Sequence, residues 1–237
     1  MRTDQRKPDE LRPISITRNW QTAGESSVLV SFGQTKVLCT GTFEKDVPVW
    51  MKGSGKGWVT AEYEMLPRAT SDRNKRESRK GNISGRTHEI SRLIARSLRA
   101  AVDLEKLGER QIIVDCDVLQ ADGGTRCAAI TGGWLALKDC LQWAADNNFL
   151  SSVNDVLINQ VAAVSVGILH NTPILDLPYE EDSKAETDMN IVMTAKSEFV
   201  EIQGTAEGVT FNRAELDELL RLGETGCQEL FSIQNSS

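Results

Sequence analysis

The chain has 237 residues, 40% of them hydrophobic and 26% charged, enough length and apolar content to bury a substantial core. A net charge of −7 argues against a surface that coats nucleic acid all round, and no apolar run approaches the roughly 18 residues that span a bilayer, so no membrane partner is expected. The N-terminus is too polar for a signal peptide, and five cysteines without a CxxC pair read as reduced core residues of a cytoplasmic protein with no structural zinc site.

In chain order, the first third reads as short strands: residues 12–20, then 26–32 and 36–44 joined by a Gly33-Gln34 hairpin, then 57–66. Residues 67–84 have no apolar periodicity and are expected to form a loop or weakly ordered arm. A helix is expected from near Gly85 with Ser84 as N-cap, burying Ile90, Leu93, Ile94, Ser97, Leu98 and Ala101 and turning Arg92, Arg96 and Arg99 outward. Residues 110–119 alternate as a half-buried strand, and Ile130, Trp134, Leu137, Leu141 and Ala144 mark a helix from Thr125 to about Asn147. Gly132-Gly133 in its middle costs about 1 kcal/mol per glycine against alanine, a cost that close packing, including packing on another subunit, would offset. Four more strands follow, then a last helix from Asn212 with Glu215 completing a capping box. No linker or repeat divides the chain, and a single mixed α/β domain is the expected fold class.

Three groups of residues carry chemistry. Asp122-Gly-Gly-Thr-Arg126 joins strand to helix, placing Gly123, Gly124 and Thr125 where free N–H groups and the helix dipole favour an anion, with Arg126 adding a guanidinium suited to phosphate oxygens. An ordinary turn capped by Thr125 is the competing reading. Arg86 likewise joins a cation to a helix start, although taken singly it also fits a surface charge. Glu180, Glu181, Asp182, Glu186 and Asp188 crowd nine positions between two strands; Asp182 and Asp188 bracket a short connection and are placed to share a magnesium ion, unless the segment is simply an acidic surface loop. From Arg68 to Arg99 there are ten Lys and Arg against three Asp and Glu in an otherwise acidic chain, the footprint of a polyanion partner or of a solvated, salt-bridged segment.

The strings "KPDELRPISITRNW", "GWVTAEYEMLPRAT", "GRTHEISRLIARSLRA", "ADGGTRCAAITGG", "DLPYEEDSKAETDMNIVMT" and "ELDELLRLGETGCQEL" resemble the ribonuclease PH family of phosphorolytic exoribonucleases over nearly the whole chain. The resemblance implies the ribosomal protein S5 domain 2-like α/β fold and a homohexameric ring, a trimer of dimers. It implies a tRNA nucleotidyltransferase activity in which inorganic phosphate, the co-substrate, trims 3′ extensions of tRNA precursors, with rRNA a further substrate, and releases nucleoside 5′-diphosphates. Arg86, Gly124, Thr125 and Arg126 match its phosphate-binding positions, Asp182 and Asp188 its acidic pair, implied to hold Mg²⁺ or handle protons. Arg68, Arg73 and Arg76, in a basic arm running to Lys80, match positions that grip tRNA. A non-catalytic RNA-binding ring subunit of the exosome type is the alternative within the same fold.

Overall fold

The computed structural model describes residues 2–79 and 81–237. The first sheet holds β1 (Ile14–Arg18), β2 (Ser26–Phe32), β3 (Thr35–Glu44), β4 (Trp58–Met65) and β5 (Gln111–Gln120) in the order β1-β2-β3-β5-β4. Neighbours run antiparallel except β4 and β5, which are parallel because α1 (Gly85–Arg99) and the short α2 (Leu104–Leu107) cross over between them. The β5 alternation is as its sequence suggests: Ile112, Val114, Cys116 and Val118 are buried, while Asp115 and Asp117 are half-exposed on the opposite face.

α3 (Thr125–Asp146) follows β5 and then, after α4 (Val153–Val156), comes the second sheet: β6 (Val161–Leu169), β7 (Thr172–Leu175), β8 (Thr187–Thr194) and β9 (Phe199–Ala206) in the order β7-β6-β8-β9. All its pairings are antiparallel, and the β6–β7 hairpin turns on His170 and Asn171, both left-handed at φ 51° and 58°. A short helix, α5 (Tyr179–Asp182), bridges β7 and β8, and α6 (Arg213–Ser236) closes the chain with the expected Asn212–Glu215 capping box. β7 stops at Leu175, because Asp176 takes a left-handed φ of 53° that turns the chain toward α5.

The core lies around α3, which is buried on every side from Cys127 to Leu137 and is gripped by both sheets. On one side a Cβ added at Gly132 would stand 2.6 Å from Val30 of β2 and 3.0 Å from Cys39 of β3. On the other, Thr131 Oγ1 donates to the carbonyl of Ala163 in β6 and accepts from its N–H at 3.1 Å. The mid-helix Gly132 is therefore kept by close packing, and the packing partner lies within the chain. One continuous buried cluster draws residues from both sheets, α1, α3 and α6, and the five cysteines are all buried and unpaired within the chain.

Candidate active site

The loop read as an anion cradle lies at the β5–α3 junction, and α3 starts at Thr125 as the apolar spacing suggests. Gly123 and Gly124 both take left-handed φ, 71° and 67°, and stand before the helix; Gly124 is the N-cap and Thr125 the first helical residue. Thr125 does not cap. Its Oγ1 lies 2.9 Å from the hydroxyl of Tyr63 on β4. The loop is fixed from behind: Asp122 N donates to Thr35 Oγ1 at 2.8 Å, Thr35 Oγ1 donates to the Gly123 carbonyl at 2.7 Å, and Arg12 donates to the Asp122 and Gly123 carbonyls. With its carbonyls turned inward, the loop leaves the first-turn N–H groups of α3 facing out, where a helix start holds an anion.

That start opens onto a cleft of about 570 Å³ lined by Arg86, Gly124, Thr125, Arg126, Asp182 and Asp188. All six residues predicted for phosphate and cation binding thus meet in one place, from four elements and over a hundred positions of chain. Ser84 caps α1, its Oγ accepting from Thr87 N at 3.2 Å, and this sets Arg86 in the first turn, exposed toward the cleft and without an ion-pair partner among the described residues. Arg126 is half-buried: its Nη2 lies 2.9 Å from Glu89 Oε2, and Gln203 on β9 donates to the other oxygen of Glu89 at 2.9 Å. Burial opposes ionisation of Glu89, but the bonds from Gln203 and Arg126 outweigh it and hold its pKa below the usual value. Arg126 Nε is buried without a hydrogen-bond partner, so this cation retains an unused donor.

The acidic pair faces these cations. Asp182 ends α5 and Asp188 is the second residue of β8, so the two bracket the short connection as their spacing suggests. Asp182 opens to solvent on one side, yet the protein packed around it, and then the Asp188 charge, raise its pKa, while Arg126, Arg86 and Arg12 pull it down. Two carboxylates so placed are relieved by a proton or by a hard cation. Burial also raises the pKa of Tyr63, against the pull of Thr125, Arg86 and Arg126, and keeps its phenol protonated.

Arg12, Tyr63, Glu89 and Gln203 escape a reading of the sequence. Each acts through a partner from 37 to 114 positions away, which no local pattern signals. Arg68 is exposed just beyond β4, and Arg73 and Arg76 line a separate cavity of about 330 Å³ with Lys75 and Arg79. The basic arm is ordered by its own bonds, among them Asn74 N to the Pro67 carbonyl at 2.8 Å and Asn74 Nδ2 to Thr70 Oγ1 at 3.0 Å. Thr70, Ser71, Asp72 and Asn74 line the main cleft, so the arm leads out of it; Lys80 lies outside the described residues.

Two cationic helix starts thus face a carboxylate pair across one cleft of an α/β protein, bringing basic and acidic groups into a single site. The 3′ exoribonuclease family, domain 1, matches residues 10–141, and its domain 2 matches residues 159–226. Ribonuclease PH of Bifidobacterium longum is 57% identical over the full chain and 96% of its own length, and those of Frankia casuarinae and Corynebacterium efficiens are 56% and 55% identical. Among solved structures, the Archaeoglobus fulgidus exosome with RNA bound to the active site superposes with a TM-score of 0.80 at 24% identity, covering 98% of this chain and 91% of that one. An archaeal exosome core gives 0.78 at 23% identity, covering 99% and 91%. The chain belongs to the ribonuclease PH family of 3′ exoribonucleases, and its fold is the ribosomal protein S5 domain 2-like α/β architecture of that family.

Proposed function

We propose that the chain is a phosphate-dependent 3′-to-5′ exoribonuclease that trims 3′ extensions of tRNA precursors, acts on rRNA ends as well, and works as a hexameric ring, a trimer of dimers. The observation that carries this reading is the convergence of Arg86, the Gly124-Thr125-Arg126 helix start and the Asp182/Asp188 pair on one cleft. Full-length relatives named ribonuclease PH support the reaction, and the likeness in fold to exosome proteins agrees with a multi-subunit assembly.

In this reading Arg86, Arg126 and the N–H groups at Gly124 and Thr125 hold inorganic phosphate. Their charge offsets the repulsion between a phosphate dianion and an anionic RNA diester and sets the attack in line. An oxygen of the bound phosphate forms a bond to the 3′-terminal phosphorus as the bond to the preceding ribose 3′ oxygen breaks. The phosphate's proton passes to that oxygen, leaving a 3′ hydroxyl and a nucleoside 5′-diphosphate; reversal is nucleotidyl transfer. No covalent enzyme intermediate is needed.

Asp182 and Asp188 fit Mg²⁺: their donors are hard oxygens, and no cluster of three or more metal-ligating side chains exists among the described residues, so the ion would keep waters and substrate oxygens as its other ligands. A cation held by Asp182 and Asp188 would supply positive charge near the departing ribose oxygen. Arg68, Arg73 and Arg76 serve as a sequence-independent grip on the tRNA body, holding phosphates outside the cleft. The test is incubation with an RNA bearing a 3′ extension, with and without phosphate. Nucleoside diphosphates formed only with phosphate are expected; monophosphates, or no product, would overturn the reading.

A further inference from the structure

Behind the cleft lies a buried charge cluster that the reaction scheme leaves without a role. Three arginines of the N-terminal segment, Arg2, Arg6 and Arg12, converge on two carboxylates from the far end of the chain, Asp176 and Glu181, which are each 1% exposed. Arg2 grips Glu181, with Nη2 2.7 Å from Oε2, and spends its other donors on the carbonyls of Leu175 at 2.7 Å and Asp176 at 2.8 Å. Arg12 takes Asp176 with its backbone N–H at 2.8 Å, Nε at 3.0 Å and Nη2 at 2.7 Å. The same guanidinium donates to the Asp122 and Gly123 carbonyls of the cradle. Arg6 closes the group, donating to the Asp176 carbonyl at 3.0 Å.

The geometry points to a division of labour within this segment: Arg2 is a positioning residue for Asp182, and Arg12 is a positioning residue for the phosphate cradle. Glu181 immediately precedes Asp182 on a helix of four residues, too short to hold its own direction, so the Arg2 fork fixes where the Asp182 carboxylate points. Arg12 fixes the opposite wall by holding the two carbonyls whose peptide planes aim the cradle N–H groups outward. Asp176 joins the two and holds a left-handed φ of 53° that its ion pairs stabilise. Residues 2–12 therefore set the distance between bound phosphate and the acidic pair, although none of them lines the cleft.

This inference rests on the proposed roles of Asp182 and the cradle, and its test separates the two. Turnover and phosphate KM are measured on folded, full-length Arg2→Lys, Glu181→Gln and Arg12→Lys, with Asp182→Asn as reference. Lysine keeps the charge but not the fork, and glutamine keeps the shape but not the charge. For Arg2→Lys and Glu181→Gln, kcat per folded molecule is expected to fall at least ten-fold with phosphate KM within two-fold. The double variant should be no worse than the poorer single, because the pair acts as a unit. For Arg12→Lys, phosphate KM should rise about ten-fold. If a single change prevents folding, the neutral pair Arg2→Gln with Glu181→Gln leaves no buried charge unmatched and is read in the same way. A merely structural cluster would lower the melting temperature while leaving kcat and KM of the folded fraction unchanged, and that result overturns the inference. Full activity in Asp182→Asn would instead overturn the role given to the acidic pair.

Discussion

Gly123→Ala tests how tightly the cradle is held. Gly123 sits at φ 71°, where an L side chain costs about 1–2 kcal/mol. An added Cβ would also stand 2.5 Å from the Leu177 carbonyl oxygen and 2.8 Å from Pro178 C and Tyr179 N, all backbone atoms that cannot swing aside. The closest of these is about 0.9 Å inside the 3.4 Å at which ordinary contact begins, so the loop or the start of α5 must move by most of an ångström. Overpacking of this kind costs about 1–3 kcal/mol more, for a total of about 2–5 kcal/mol. Since about 1 Å of misplacement at a reacting centre can cost on the order of 100-fold, phosphate KM should rise by ten-fold or more. Gly55→Ala is the control: Gly55 has the same φ of 71°, but nothing lies within 4 Å of its added Cβ. It should lose only the backbone contribution and keep its phosphate KM. Urea denaturation and phosphate titration of the two variants make the comparison. Equal stability losses and equal KM values would refute the argument that contact between the cradle and α5 sets the site.

Three other outcomes follow from particular side chains. Tyr63→Phe removes the hydroxyl that shares a hydrogen bond with Thr125 Oγ1 while keeping the buried ring; the freed Thr125 hydroxyl should bind phosphate two- to ten-fold less well, with RNA KM unchanged, as read by steady-state kinetics (about 0.5–1.5 kcal/mol). Burial first, then the charges of Glu62 and Asp117, raise the pKa of Asp115, so the folded state holds its proton more tightly than the unfolded chain does. Stability should therefore fall as pH rises from the unfolded value, about 3.9, through the raised folded value, and then level off. Asp115→Asn should melt higher than the parent at pH 7, with the difference shrinking toward pH 3; a variant melting lower at pH 7 would reverse the sign of this account. Changing Arg68, Arg73 and Arg76 together to alanine should weaken tRNA binding and reduce the slope of log K against log salt by about 3 if each meets one phosphate, measured by filter binding at several salt concentrations. An unchanged slope would leave the arm as solvated surface.

The sequence alone determined the pieces that depend on near neighbours. Alternation over 111–120 separated the buried from the open face of β5, Ser84 and the Asn212–Glu215 box started two helices, and the paired glycines before Thr125 announced a helix start bare enough for an anion. These are local effects: side-chain period, caps and φ preference act over four residues or fewer. Tertiary structure decided what those pieces face. Only packing of the two sheets on α3 brings Arg86 and Arg126 opposite Asp182 and Asp188, hangs Glu89 between Arg126 and Gln203, and hides Arg2 and Arg12 against Glu181 and Asp176 at separations of 179 and 164 residues. A charge in a sequence has no fixed partner; its partner is chosen where desolvation makes an unpaired charge too costly to bury, and that place exists only once the chain has folded.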